Sequence, residues 1–272
     1  MPHPQANAKC DKNSVDLRQS GETSSLTENA PHVAILMATF NGEAFLAEQL
    51  DSIATQTHSN WTLWASDDGS TDGTLKLLAK YRHEWGHDRL QIVHGPRRGV
   101  ASNFLSMIGL PAIPVAYHAF ADQDDIWEAG KLARALECLR VLPDDKPALY
   151  CGRTRLIDST GYATGMSWLF PEAPSFRNAL AQNIGGGNTM VLSPATVELV
   201  RQACPELEVL LHDWWLYLLT TGVGGNVVYD PAPQLRYRQH DTNIVGSNLG
   251  LTARIHRAMA ITRGTLRTWN DR

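Results

Sequence analysis

The feature that most restricts the fold is a continuous apolar block at residues 33–38, with the sequence VAILMA. It follows Pro31 and precedes Asn41-Gly42, residue types that often end regular structure. A strand with one face in water alternates apolar and polar residues, and this block does not. The block therefore predicts a strand covered on both faces, which is typical of a parallel sheet between helices.

The segments after this block alternate between helical and strand patterns. Phe45, Leu46, Leu50 and Ile53 recur at helical spacing, and a break at 57–60 follows. Such alternation predicts an α/β domain with a mostly parallel, twisted sheet flanked by helices. Further strands are predicted at 61–66, 90–94 and 115–121, and further helices at 72–85 and 100–108.

The second half of the chain has a less regular pattern. A glycine-rich loop at 185–188 precedes a predicted strand at 189–192. The other predictions are helices at 128–140, 194–203 and 210–219, a strand at 148–156, and strand-like segments at 227–229 and 234–238.

Composition excludes several classes of protein. The 272 residues are 43% hydrophobic and 19% charged, as in a globular protein, and the net charge of −4 argues against a nucleic-acid partner. The four cysteines, Cys10, Cys138, Cys151 and Cys204, form no CxxC pair, which favours reduced thiols over a zinc ribbon or a redox site. No apolar run resembles a signal peptide or a membrane span, so we expect a cytoplasmic location.

The two ends of the chain differ from the rest. Residues 1–31 are polar and lack an apolar period, which predicts a disordered leader. Residues 249–272 carry five arginines and a single acidic residue, Asp271, with apolar positions such as Leu251 and Ile255. This tail is either a basic helix that contacts the inner membrane face or, slightly favoured, a solvated helix packed on the domain.

Polar side chains follow three of the predicted strands. They are Thr39 and Asn41 after the first strand, Asp67 and Asp68 after the second, and the acidic segment 122–125 after the fourth. Because ligands of such sheets bind at the carboxyl ends of the strands, we expect these side chains to converge on one site.

Asp122 and Asp124 have the spacing of a metal site. Residues i and i+2 of an extended chain point the same way, so the two carboxylates face one point. Hard oxygen ligands suit Mg²⁺ or Mn²⁺. The alternative is an acidic turn that caps a helix beginning near Trp127. The position of the segment at the end of an apolar strand favours the metal.

The segment Asp67-Asp68-Gly69-Ser70 also ends a strand. A carboxylate there would accept hydrogen bonds from a nucleotide base or ribose. The alternative is a turn in which Ser70 or Asp72 caps the next helix. That alternative accounts well for Ser70 and Asp72 and less well for the two aspartates before them.

The order of these motifs resembles the family 2 inverting glycosyltransferases, which have the GT-A fold, and within them a rhamnosyltransferase-like branch. The resemblance implies a transferase domain at 32–248, with a nucleotide-binding half at 32–127 and an acceptor-side half at 128–248 that holds a small antiparallel part. The matching segments are ATFNG at 38–42, SDDGSTDG at 66–73, GVASNF at 99–104, DQDDIW at 122–127, GNTM at 187–190, HDWW at 212–215 and YRQHDTN at 237–243.

The resemblance also implies partners and residue roles. The donor would be dTDP-rhamnose or a UDP-hexose, the metal Mg²⁺ or Mn²⁺, and the acceptor a glycan or lipid-linked hydroxyl in bacterial surface polysaccharide synthesis. Arg97-Arg98 depart from the family, which often has Asn or a small residue there, and we expect them to face solvent. The implied roles are donor binding by Thr39, Asn41, Asp67, Asp68, Asp122 and Arg238; metal binding by Asp124 and His240; catalysis by Asp213; and acceptor binding by Asn188, Trp214 and Trp215. Asp125 is expected to cap the following helix.

Asp213 can also be interpreted from the chemistry alone. An acceptor hydroxyl loses a proton as it attacks the anomeric carbon, and a carboxylate within reach can accept it. A single base without a carboxylate nucleophile predicts displacement with inversion, by the logic that applies to glycosidases. The alternative is that Asp213 only favours the helix dipole, while one of the two tryptophans after it belongs to the core.

Two other functions remain as alternatives. A nucleotidyltransferase would need a basic, glycine-rich loop after the first strand, which Thr39-Phe40-Asn41-Gly42 does not provide. A dinucleotide oxidoreductase is weaker still, because no GxGxxG follows that strand. A non-catalytic sugar-nucleotide or glycan binder on the same fold is less favoured, because Asp213 accompanies Asp124.

Overall fold

The computed structural model describes residues 30–203 and 209–240. Most of the predicted leader, the basic tail, Cys10, Cys204 and the end of the segment 237–243 lie outside the described residues. Cys138 and Cys151 are buried and form no disulfide. Within the described ranges, no helix is long and apolar enough to cross a membrane.

The first half of the chain follows the predicted alternation closely. The first, second and fourth strands each extend by one residue into the polar segment that follows, because those residues still pair in the sheet. The elements are β1 (Val33–Thr39), α1 (Leu46–Ala54), β2 (Trp61–Asp67), α2 (Thr74–Trp85), β3 (Leu90–His94), α3 (Val100–Gly109), β4 (Tyr117–Asp122) and a short β5 (Ile126–Trp127).

The second half contains shorter elements. They are α4 (Lys131–Leu139), β6 (Ala148–Gly152), β7 (Arg155–Ile157), β8 (Ala163–Met166), α5 (Phe176–Ala179), a 3₁₀ turn (Gly187–Thr189), β9 (Val191–Leu192), α6 (Pro194–Ala203), α7 (His212–Gly222), β10 (Asn226–Asp230) and β11 (Leu235–Arg238).

Two sheets organise these elements. A seven-stranded sheet has the order β10-β6-β9-β4-β1-β2-β3 and is parallel except for β9, which runs antiparallel to both β4 and β6. A four-stranded sheet has the order β5-β11-β7-β8. The predicted α/β architecture, mostly parallel with a small antiparallel part, is confirmed.

The single strand predicted at 148–156 is wrong. It is two strands, β6 in the large sheet and β7 in the small one. The chain turns at Gly152 and Arg153, where the Arg153 N–H bonds the carbonyl of Asp230. A Cβ on Gly152 would lie 3.1 Å from that carbonyl oxygen, so glycine lets the strands meet this closely without a shift of the backbone.

Both faces of β1 are covered, as the apolar block predicted. All seven of its residues are buried. Helices α1, α2 and α4 cover one face and helices α3, α6 and α7 the other, so burial from two sides accounts for the lack of alternation. The residues on the first face are Val33, Ile35 and Met37, and those on the second are Ala34, Leu36 and Ala38.

The buried side chain of His118 in β4 makes stability sensitive to acid. Its Nε2 contacts the carbonyl of Pro114 at 3.0 Å, and its Nδ1 has no hydrogen-bond partner in the described part of the chain. Burial lowers the pKa of His118 from 6.5 to about 4. Between these values the unfolded chain binds a proton that the folded chain does not, so stability falls as the pH falls.

We expect His118→Gln to reduce this acid sensitivity, because Gln keeps a donor for Pro114 and does not titrate. The lowered pKa of His118 is expected to make the unfolding free energy of the wild type about 3 kcal/mol lower at pH 4 than at pH 7. Urea denaturation across that range measures it. His83→Gln, at an exposed position of α2, is the control and keeps the wild-type pH slope. An unchanged slope in His118→Gln would contradict the assignment.

Candidate functional site

Strand register brings the polar strand ends to one edge of the large sheet. Thr39 pairs with Asp67 across β1 and β2, and Ala38 pairs with Asp122 across β1 and β4. The segments after β1, β2 and β4 therefore leave the sheet side by side, as the sequence predicted.

The segment after β4 holds three crowded carboxylates, here called the acid trio: Asp122, Asp124 and Asp125. One oxygen from each lies within 4.8 Å of the other two. Burial, followed by the charges of Asp124 and Asp213, raises the pKa of Asp122 to about 7. Burial and the charges of Asp122 and Asp124 raise the pKa of Asp125 well above its usual range. A divalent cation would relieve this repulsion, and oxygen ligands at this spacing fit Mg²⁺ or Mn²⁺.

The prediction that Asp125 caps the next helix is wrong. Trp127 lies in β5, and α4 begins only at Lys131, without a side-chain cap. Asp125 is fully buried, and its two oxygens accept hydrogen bonds from the Asn188 amide at 2.6 Å and the Arg238 backbone N–H at 3.2 Å. Asp125 thus ties the strand end to two distant segments.

His240 lies against the acid trio. Its Nε2 is 2.7 Å from Oδ2 of Asp124. The ring packs on Phe45 of the segment before α1, with ring centroids 5.0 Å apart. The two predicted metal ligands are therefore brought together by chain segments far apart in sequence.

Arg238 occupies a different position from the one expected of a group that contacts the donor diphosphate. Its side chain is only 1% exposed. The guanidinium donates to the backbone carbonyls of Asp124 and Ser159, each at 3.0 Å, and to the carboxylate of Glu48. Arg238 therefore supports the acid trio by holding the backbone of Asp124.

The turn after β2 uses both of its aspartates as backbone acceptors. Asp67 accepts from the N–H groups of Gly69 and Ser70, at 3.1 and 2.9 Å, and from the hydroxyl of Thr39. Asp68 is partly exposed and accepts from the N–H groups at positions 97 and 99 of the next loop. These carboxylates shape two neighbouring loops at the sheet edge.

Asp72 lies one residue before the N-cap of α2, which is Gly73 and has no side chain to cap the helix. Its carboxylate accepts from the N–H of Thr74, the first residue of α2, at 3.0 Å. Asn41, at a φ of 49°, accepts from the N–H of Thr71 at 2.8 Å. Arg97 and Arg98 are both exposed, in agreement with the prediction that they face solvent.

Asp213 lies in the first turn of α7 and faces the same site. Its charge is close enough to raise the pKa of Asp122. Its Oδ1 accepts from the N–H of Trp214 at 2.7 Å. The neighbouring His212 is buried and stacks on Phe104, with ring centroids 4.6 Å apart. This packing fixes the start of the helix and so the direction of the Asp213 side chain.

The two tryptophans after Asp213 are partly buried and differ in their surroundings. Trp214 donates from Nε1 to the carbonyl of Ala179 at 2.7 Å. Trp215 packs on the hydrophobic cluster beneath α7. Asn188, predicted to bind the acceptor, is buried and holds Asp125.

Sequence reasoning placed Gln123 and Gly187 within motifs but gave neither a role of its own, and it did not single out Lys131. The Gln123 amide bonds both the N–H and the carbonyl of Phe40, which clamps the loop after β1 to the loop after β4. A Cβ on Gly187 would lie 2.4 Å from Nε2 of His212, so only glycine allows the loop this close to α7. Lys131 recurs with Ala135 and Cys138 on the buried face of α4, a signal visible in the sequence.

Comparison with known proteins agrees with this geometry. The model of the family described as glycosyl transferase family 2 matches residues 34–205. The dTDP-rhamnosyl transferase RfbG of Shigella flexneri is 29% identical over 235 residues, which cover 81% of this chain and 77% of the relative.

Two solved structures share the fold. The mannosyltransferase PcManGT from Pyrobaculum calidifontis, in complex with GDP-Man and Mn²⁺, has a TM-score of 0.60 at 18% identity over 90% of this chain and 66% of its own. S. aureus TarS 1-349, in complex with UDP-GlcNAc, has a TM-score of 0.58 at 16% identity. This match covers 78% of the present chain and 60% of the TarS chain. This chain thus spans less than two thirds of either solved chain.

The family model covers well over half of the chain, and the solved structures share its fold. Both agree with the family that the order of the motifs suggested. This protein belongs to glycosyl transferase family 2 and has the GT-A fold.

Proposed function

We propose that the protein is an inverting, metal-dependent transferase that moves a sugar from a nucleoside-diphosphate donor to an acceptor hydroxyl. The observation that carries the proposal is the crowding of the acid trio at the end of β4, where one oxygen from each carboxylate lies within 4.8 Å of the other two. The acid trio would hold a metal and the donor diphosphate, and Asp213 in the first turn of α7 is the candidate base for a single displacement.

The metal would be held by Asp124 and His240, with Asp122 toward the donor. When bound, Mg²⁺ or Mn²⁺ supplies positive charge for the leaving diphosphate. Asp125 is buried against Asn188 and Arg238, so its role is to position the segment. Arg238 holds the carbonyl of Asp124 and is likewise a positioning residue rather than a donor contact.

Asp213 would act as the general base. The acceptor oxygen forms a bond to the anomeric carbon while the bond from that carbon to the diphosphate oxygen breaks. The hydroxyl proton passes to Asp213, whose Oδ1 is already held by the N–H of Trp214. Attack opposite the leaving group inverts the anomeric centre. Trp214, near the base, is the better candidate for stacking on an acceptor sugar, because Trp215 packs on the core.

The nucleotide would lie along the ends of β1 and β2. Asp68 is partly exposed and Asn41 is exposed, so their side chains have room to contact a base or ribose. Thr39 and Asp67 are buried and would act by holding the turn. Similarity to the dTDP-rhamnosyl transferase RfbG supports dTDP-rhamnose as the first donor to test, with UDP-hexoses next, and a role in bacterial polysaccharide synthesis with a glycan or lipid-linked acceptor.

Replacement of the base tests the mechanism. Asp213→Asn is expected to reduce transfer roughly 10²- to 10⁴-fold, the usual contribution of a general base, with donor affinity retained. Single-turnover assays and calorimetric donor titration measure the two effects. Asp144→Asn, at an exposed position far along the chain, is the control and should keep full activity. Normal turnover by Asp213→Asn would exclude it as the base.

Thermal shift tests the donor and metal site. A nucleotide sugar that binds should raise the melting temperature more with Mn²⁺ than with chelator, and saturation at about 100 Kd adds about 2.7 kcal/mol of stability. Asp124→Asn is expected to abolish the Mn²⁺ increment. Equal stabilisation by the donor with and without metal would contradict metal dependence, and binding without transfer over a broad acceptor panel would indicate a non-catalytic binder.

The ion pair between Arg238 and Glu48 is expected to stabilise the folded state. Glu48→Gln leaves the buried guanidinium of Arg238 without its counter-ion, which should lower the unfolding free energy by about 2 kcal/mol. Glu84→Gln removes an exposed pair with Lys80 and should change it by less than about 1 kcal/mol. Urea denaturation compares them, and equal effects would show that the guanidinium does not depend on Glu48.

A further inference from the structure

The small four-stranded sheet carries two arginines side by side. Arg155 of β7 and Arg236 of β11 are register partners in the parallel pairing of these strands. Neighbouring strands lie about 4.8 Å apart, so the two side chains leave the sheet next to each other. Like charges placed in this way destabilise a sheet, and the pairing therefore needs an explanation.

Both arginines lie on the face of the small sheet that is turned away from the core. The residues that alternate with them, Leu156 and Leu235, are only 2% and 1% exposed, and Leu235 belongs to the main hydrophobic cluster. Arg155 is exposed, and 43% of the Arg236 side chain is exposed. The two guanidinium groups are therefore accessible to a ligand.

An open cleft of about 470 Å³ lies over this face, which is a volume typical of sites for small ligands. Arg155, Arg236 and Glu128 supply its charged groups. A cleft that combines two cations with an uncharged wall suits a small ligand with an oxyanion and an apolar ring face, as a charged sugar has. The uncharged wall consists of Ile157, Gly161, Ala163 and Pro233.

The two guanidinium groups share a single carboxylate. Glu128 accepts from Arg236, with 3.0 Å between Oε1 and Nε. Arg155 forms no hydrogen bond or ion pair with any residue that the structure describes. Two guanidinium groups and one carboxylate leave the lining of the cleft with a net charge of +1. By contrast Arg238, two residues further along β11, is occupied by acceptors of the protein itself.

We propose that Arg155 and Arg236 form a second ligand site, which binds the phosphate or carboxylate group of a charged sugar while the uncharged wall contacts the sugar ring. Guanidinium groups match such oxyanions because each can donate two parallel hydrogen bonds. Glu128 orients Arg236 and also competes with the anion for it. Neither the acid trio nor Asp213 lines this cleft, so its ligand is distinct from the donor and metal of the proposed reaction.

Calorimetric titration of the full chain tests this site. Chelator removes any contribution of a metal, and about 20 mM NaCl keeps the screening of charges weak. The probes are glucose 6-phosphate, glucuronate, inorganic phosphate and glucose. Arg155→Gln removes the charge and keeps a polar side chain. Arg140→Gln, at the exposed C-cap of α4, removes the same charge from another surface and is the matched control.

At least one of the two charged sugars should bind the wild type more tightly than inorganic phosphate, and glucose should not bind measurably. Arg155→Gln should weaken that binding roughly tenfold or more, because a charge-assisted pair of hydrogen bonds is lost. Arg140→Gln should match the wild type. Glu128→Gln should strengthen binding about threefold, because it releases Arg236 and removes a competing negative charge.

The opposite results are equally definite. If no charged probe binds the wild type, or if Arg155→Gln and Arg140→Gln weaken binding equally, the site does not exist. If inorganic phosphate binds as tightly as both charged sugars, the cleft does not recognise a sugar. The melting temperature of Arg155→Gln without ligand should equal or exceed that of the wild type, since the repulsion between like charges is relieved. Transfer activity and the Mn²⁺ increment report on the acid trio, so either proposal can fail without the other.

Discussion

The arrangement of the sheet edge depends on holding three carboxylates closer together than their charges favour. The compensating groups come from two separate segments: Asn188 of the 3₁₀ turn contacts Asp125, and in the segment of β11 the Arg238 N–H bonds Asp125 and His240 contacts Asp124. The second half of the chain is therefore organised around a strand end of the first half.

The loops around this strand end are fixed to one another by side chains bonded to backbone groups. Gln123 bonds Phe40, and Asp68 bonds the loop after β3, so the ends of β1, β2 and β4 form one connected rim. Polar residues that the sequence motifs predict to bind a ligand can thus have a structural role, bonding to other parts of the protein. Asp67 and Arg238 illustrate this, because both are buried and bonded to the protein.

Sequence reasoning succeeded where one physical rule dominated. Burial on both faces made β1 a continuous apolar block, and strand polarity placed Asp67 and Asp122 at the same edge. It failed where tertiary contacts decided the outcome. The division of 148–156 into β6 and β7 depends on Asp230, and the role of Asp125 depends on Asn188 and Arg238. Local pattern carries no information on such distant partners, whereas Lys131 on an apolar helix face was a visible signal.

The pairing of Glu48 with Arg238 joins residues 190 positions apart. During synthesis the ribosome therefore releases the acidic strand end long before the groups that stabilise it. Contacts of such high sequence separation form late, because a long loop must close first. The β1–β4 scaffold can thus form before β11 docks and brings its groups to the acid trio. A change that displaces β11 would leave Asp124 and Asp125 without the groups of Arg238 and His240 that contact them.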